Sequence, residues 1–152
     1  MRVTAKSDYA LRALIEIARQ PDRGPISAEE LGRVQDIPHG FLQAILADLR
    51  RAGIVFAQRG QFGGWRLGQD AGSITVADVI RAVDGPLLSV SGVRPEAVKY
   101  NDAAEVLQLV WIASRSSLRE VLENVTVHQL ASGELSDAVS ARAAHDDAWQ
   151  PR

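Results

Sequence analysis

Two short helical patterns lie only three residues apart, and a strand, a glycine-rich turn and a second strand follow at once. Few folds accept that succession. Ser27-Ala28-Glu29-Glu30 is a capping box that opens a helix over about residues 28–35, with Leu31 and Val34 facing inward. Asp36-Ile37-Pro38 breaks it, and Pro38 suits the first turn of another helix running to about residue 52. Phe41, Leu42, Ile45, Leu46 and Leu49 form one apolar face there, and Gly53 fits the position just past its end. Ile54–Gln58 is β-prone, Arg59-Gly60-Gln61-Phe62-Gly63-Gly64 is a turn, and Trp65-Arg66-Leu67 can pair back. Helix, tight turn, helix and β-hairpin together spell a winged helix-turn-helix.

The flanking segments agree. Residues 4–20 carry Leu11, Leu14, Ile15 and Ala18 at helical spacing behind a Thr4 cap, and Pro21–Pro25 stops them. Thr75–Asp78 caps another helix, with Val79, Ile80 and Val83 inward and Asp84-Gly85-Pro86 at its end. Residues 87–101 have no period and read as a loop. Asp102–Glu105 is expected to cap the longest helix, about 103–124, which is apolar almost all round in its first half. Such a helix in a small chain calls for a second buried face against another chain. Thr126 caps a short helix ended by Gly133, and the small, polar residues after it read as a weakly ordered tail that docks, if at all, through Trp149. The fold class expected is mainly α with a small β-hairpin. Residues 1–84 form the winged helix-turn-helix, 85–101 a regulatory loop, 102–132 the dimerisation helix with a short C-terminal helix, and 133–152 the tail.

Composition narrows the function. The chain of 152 residues has no cysteine, which excludes disulfides, a thiolate nucleophile and cysteine-held metals. No segment is long and apolar enough to span a bilayer, and Met1–Tyr9 lacks the apolar stretch of a secretory signal, so a cytoplasmic location is expected. Walker, GxSxG and HExxH motifs are absent, and His39, His128 and His145 are not at metal-ligand spacing from one another. No enzyme activity, metal or cofactor is expected. The net charge of −2 hides a division. Residues 1–70 hold ten basic and eight acidic side chains, whereas residues 71–152 hold seven and eleven.

A recognition helix reads base edges with side chains near its N-terminus, here His39, Gly40, Phe41 and Gln43. Gln43 can give adenine a bidentate hydrogen bond. Arg59 at the base of the wing can enter a minor groove. Gly63 and Gly64 admit close approach to phosphate, with Gln61 at the tip. Arg2, Lys6, Arg50 and Arg51 can flank as phosphate contacts.

These residues resemble a known family. Arg2-Val3-Thr4-Ala5-Lys6 with Tyr9–Leu14, Ile37–Gln43, the wing Arg59–Leu67 and Ile74–Ile80 with Asp84-Gly85 are similar to the corresponding segments of the Rrf-two family of bacterial transcription regulators. The resemblance covers about residues 1–133. It implies a homodimer that binds a partly palindromic double-stranded DNA operator, with recognition helices in major grooves and wings in minor grooves, and a repressor is the regulator expected. It places Val106, Leu107, Val110, Trp111 and Leu118 on the dimer helix. Many members hold an iron–sulfur cluster through three cysteines in the loop before that helix. Leu87–Asn101 has none, and a serine hydroxyl is too hard and too weakly acidic to replace a thiol. The chain is thus a cluster-less variant. Some cluster-less members answer to a metabolic enzyme of cysteine synthesis, so a protein or small-molecule co-regulator is expected, the latter near Trp111, Tyr100 or Arg94. The competing expectation is a protein-interaction module on the same scaffold that does not bind DNA.

Overall fold

The computed structural model describes residues 2–20 and 24–151. Seven α-helices and two β-strands follow in order among these residues: α1 (Ala5–Ala18), α2 (Ala28–Gln35), α3 (His39–Arg51), β1 (Val55–Gln58), β2 (Gly64–Leu67), α4 (Val76–Val83), α5 (Val106–Leu122), α6 (Val127–Ser132) and α7 (Asp137–Ala143). The Pro21-Asp22-Arg23 part of the first helix's stop lies outside the described residues.

Local chemistry sets most boundaries. Thr4, Ser27, Thr75 and Thr126 each accept the backbone N–H three residues on, and Thr75 and Thr126 complete capping boxes with Asp78 and Gln129. Gly133 ends α6 in the left-handed region. Asp36 closes α2 in the same region at φ 51°, and the Ile37 amide then donates back to Gly32 O at 3.0 Å. That turn holds α3 against α2. Ala13, Leu14, Leu31, Leu42, Ile45, Leu46, Leu49 and Val79 are fully enclosed between α1, α2, α3 and α4.

β1 and β2 form an antiparallel hairpin with Val55 opposite Leu67 and Gln58 opposite Gly64. The hairpin is tied to the body by reciprocal hydrogen bonds between Ile26 and Trp65, at 3.2 and 2.7 Å. α6 returns to this body: Val127 is fully buried in the same core, and its amide donates to Ile74 O at 2.9 Å. The short C-terminal helix therefore packs with the winged helix-turn-helix, and its expected place beside the dimerisation helix needs correction.

Four other expectations need correction. Val34 is exposed, because α2 is covered on one side only. Phe41 is 52 % exposed and meets the edge of the Tyr9 ring at 6.0 Å, outside the α3 core stripe. Asp102 makes no cap: Asp102–Ala104 is a 3-10 turn, and α5 starts at Val106 without a side-chain cap. Within residues 134–151 the chain forms α7 and then a 3-10 turn over Asp146–Trp149. Trp149 does not dock on the body; its indole N–H donates to Ala143 O at 2.6 Å within the same segment. Arg142 reaches Glu120 at 3.1 Å.

α5 buries none of its residues within the chain. Val106, Leu109 and Val110 are 66, 68 and 50 % exposed. Its opposite side, with Trp111, Leu118 and Leu122, lines a cavity of about 510 Å³ against Ile80, Leu87 and Leu88. Trp111 and Leu118 thus face their own chain, while Val106, Leu107 and Val110 face outward. A helix apolar all round does not declare in sequence which side stays home. Among the described residues no helix is long and apolar enough to cross a membrane.

Candidate nucleic-acid interface

α3 has two faces. Leu42, Ile45, Leu46 and Leu49 fill the core. The other face, at the complementary helical positions, presents His39, Gly40, Gln43, Ala44, Ala47 and Arg50, all exposed. The side chains of His39, Gln43 and Arg50 have no hydrogen-bond or ion-pair partner among the described residues, so their donors and acceptors are available to an external ligand. Ala44 and Ala47 were not singled out in sequence, yet small side chains there let the helix approach a groove closely. The period of the buried leucines carries that signal in complement. A Cβ added at Gly40 would meet nothing within 4 Å, so no contact inside the chain requires glycine there.

The orientation of α3 is set from behind. The Arg12 guanidinium lies 5.3 Å from the Tyr9 ring centroid and donates to the Gln35 carbonyl at the end of α2. Lys6 spans three helices: its Nζ lies 2.5 Å from Asp48 on α3 and donates to Val83 O at the end of α4 at 2.7 Å. Asp48 also holds Arg51 at 2.7 Å. Lys6, expected as a phosphate contact, is therefore already engaged in positioning α3, whereas Arg51 pairs with Asp48 within α3 and stays exposed. Lys6 and Asp48 stand 42 residues apart, which sequence spacing cannot reveal.

Hydrogen bonds from Lys6, then from Arg51, hold the Asp48 carboxyl below its ordinary range. A depressed carboxylate pKa contributes stability that is complete above the unfolded value and disappears as pH falls through the folded one. Asp48→Asn is therefore expected to lower the melting temperature at pH 7 and to narrow its gap to the parent chain below pH 4, as read by circular dichroism. A gap that is constant with pH would contradict the assignment.

The wing carries Arg59, Gly60, Gln61 and Phe62 at its end, all exposed, with Phe62 at 83 %. Arg59 makes no ion pair among the described residues, whereas Arg66 is drawn back to Gln58 Oε1 at 3.1 Å. The two glycines behind the tip serve the fold. A Cβ at Gly63 would lie 2.4 Å from Gln58 O, and one at Gly64, φ +155°, would lie 2.5 Å from Ile26 O. Their glycine character is explained by close approach inside the chain, without a phosphate. Arg2 is exposed at the entrance to α1 and borders the cavity under α5. Next to it Asp84 accepts from Thr4 Oγ1 and, at 2.5 Å, from the buried Ser7 hydroxyl, which joins the start of α1 to the end of α4.

The loop 87–101 does not suit a cluster or metal. It offers no thiolate, and among the described residues no group of three or more His, Asp or Glu side chains converges. Tyr100 accepts from the Trp111 indole at 3.0 Å, and Glu96 is bound by Arg115 at 2.5 Å.

Comparisons with known proteins agree with this arrangement. Residues 3–133 match the Rrf2 family, described as an iron-dependent transcriptional regulator. The HTH-type transcriptional regulator Rv1287 of Mycobacterium tuberculosis is 37 % identical over 143 residues, 94 % of this chain and 89 % of that protein. The HTH-type regulator CymR of Bacillus subtilis is 31 % identical over 132 residues, 87 % of this chain and 91 % of that one. The solved structure of CymR, the global cysteine regulator of B. subtilis, superposes with a TM-score of 0.75 at 30 % identity, covering 88 % of this chain and 98 % of that one. IscR of T. potens gives 0.70 at 27 % identity over 99 % of this chain and 97 % of its own. These relatives are regulators and not enzymes. A winged helix-turn-helix whose residues 3–133 match throughout places the chain in the Rrf2 family of transcriptional regulators.

Proposed function

We propose that the chain is a cluster-less, homodimeric repressor that binds a two-fold related DNA operator. Residues 1–84 read the DNA, 85–101 carry regulation and α5 supplies the dimer contact. The observation that carries this reading is the outer face of α3, where the side chains of His39, Gln43 and Arg50 have no partner among the described residues while Lys6 behind them is spent on orienting the helix. His39, Gly40 and Gln43 enter the major groove, with Phe41 at its edge. Arg59 and Gln61 follow the wing into the flanking minor groove, and Arg2 and Arg50 meet phosphates. A dimer suits α5, whose outward Val106, Leu109 and Val110 form an apolar stripe. The signal is a metabolite or a protein co-regulator in place of an iron–sulfur cluster, and the likeness to CymR makes sulfur metabolism the first theme to test.

Arg59→Ala is expected to weaken operator binding by about 1–3 kcal/mol, the range for one good groove contact, with little change in stability because Arg59 is exposed and unpaired. Fluorescence anisotropy on a selected operator measures it. Unchanged affinity would remove the wing from the interface.

A further inference from the structure

Behind α5, on the side away from its apolar stripe, a second cavity of about 470 Å³ lies between α4, the loop and α5. Its volume falls within the roughly 300–1,000 Å³ usual for small-molecule sites. Four of the residues lining it are arginines, drawn from three separate segments: Arg81 from α4, Arg94 from the loop, and Arg115 and Arg119 from α5. Like charges gather in this way at a cost unless anions neutralise them, and the chain's own anions do so incompletely. Glu123 serves both Arg81 and Arg119, the latter at 2.9 Å. Glu96 takes Arg115 at 2.5 Å. Asp78 reaches Arg81 only at 3.5 Å. Arg94 is exposed and makes no salt bridge among the described residues.

We infer that this cavity is a binding site for a compact polyanionic metabolite, a phosphate ester or a polycarboxylate, held by forked contacts from Arg94, Arg115 and Arg119. Guanidinium forks match the planar oxygen pairs of carboxylates and phosphates, where a lysine would offer only a point charge. The site stays open when α5 pairs. Arg115 follows Val106 by nine residues and Arg119 follows Val110 by nine, which at 100° per residue is two and a half turns, so the arginines point away from the outward valines. Leu87 and Leu88 line both this cavity and the apolar one under Trp111, so they form the wall between them. An anion on the arginines therefore bears directly on the segment that joins the reading domain to α5. This supplies a signal for the regulator proposed above and rests on that reading for its consequence only, because the binding itself is measured without DNA.

The test is isothermal titration calorimetry of the full chain at constant ionic strength, with pyrophosphate and citrate in separate arms. Saturable binding of pyrophosphate alone identifies the phosphate class, and of citrate alone the polycarboxylate class. Arg94→Gln removes the one cavity arginine that makes no salt bridge among the described residues, leaves the ion pairs of Glu96 and Glu123 in place, and should weaken that binding about tenfold, the value of one charge-assisted hydrogen bond. Arg59→Ala, on the wing, should leave it unchanged. Two results would overturn the inference: no saturable heat from either anion, or binding that Arg94→Gln leaves intact.

Discussion

Val110→Glu is expected to turn the proposed dimer into monomers. The side chain is 50 % exposed in the single chain, on the same face as the still more exposed Val106 and Leu109. In the monomer a glutamate there meets water, and surface changes of that kind usually stay within about 0.5 kcal/mol. At a dimer contact the same carboxylate is buried without a partner, at a cost of about 3–5 kcal/mol. Sedimentation equilibrium should show the loss of dimer while circular dichroism shows an unchanged melting profile at low concentration. Operator affinity should fall about a hundredfold as well, because two half-sites are no longer engaged through one linked body. A variant that stays dimeric with full affinity would remove α5 from the interface.

The second large effect is at Gly64. Its Cβ would lie 2.5 Å from Ile26 O and 2.6 Å from Ile26 C, backbone atoms that cannot turn aside. Gly64→Ala must therefore break the paired Ile26–Trp65 hydrogen bonds or strain a backbone at φ +155°. Either outcome, two lost hydrogen bonds or one strained residue, costs roughly 2 kcal/mol. The variant should melt earlier and lose the wing's contribution to DNA binding. Gly40→Ala is the contrasting case. With nothing within 4 Å of the new methyl, a helical alanine should stabilise the fold by about 0.5–1 kcal/mol while weakening DNA binding, because the extra atoms stand where the groove approaches. Opposite signs on stability from two glycine-to-alanine changes are a specific signature. A wild-type melting temperature for Gly64→Ala would contradict the account of the hairpin's anchorage.

What the sequence disclosed follows from range. Capping by Ser27, Thr75 and Thr126, the stop at Gly133 and the buried face of α3 are decided within a few residues, and each is readable from spacing alone. The strand, glycine turn and strand of the wing are local in the same way. Features decided across the fold were not readable. Lys6 looks like a phosphate contact until Asp48 and Val83 meet it from two other helices. Trp111 looks like a dimer residue until Tyr100 and the wall of Leu87 and Leu88 show that it faces home. Gly63 and Gly64 suggest room for a phosphate, but the atoms that demand glycine belong to Gln58 and Ile26. Phe41 fits the apolar count of α3 and still lies outside, because Tyr9 offers it an edge contact at the rim. The arginine cavity had no sequence signal at all, since its four guanidiniums come from segments up to 38 residues apart.

The central claim is that α3 and the wing read a specific duplex from two sides of a dimer. Selection of bound duplexes from a random pool by the full chain, followed by a salt titration on the winner, tests it most directly. The account predicts enrichment of a two-fold related sequence. Log K is also expected to fall linearly with log salt at a slope of about −4, the release expected if Arg2 and Arg50 of each copy neutralise phosphates. A pool that emerges unenriched after selection, with no retention of duplex DNA even at low salt, would contradict it.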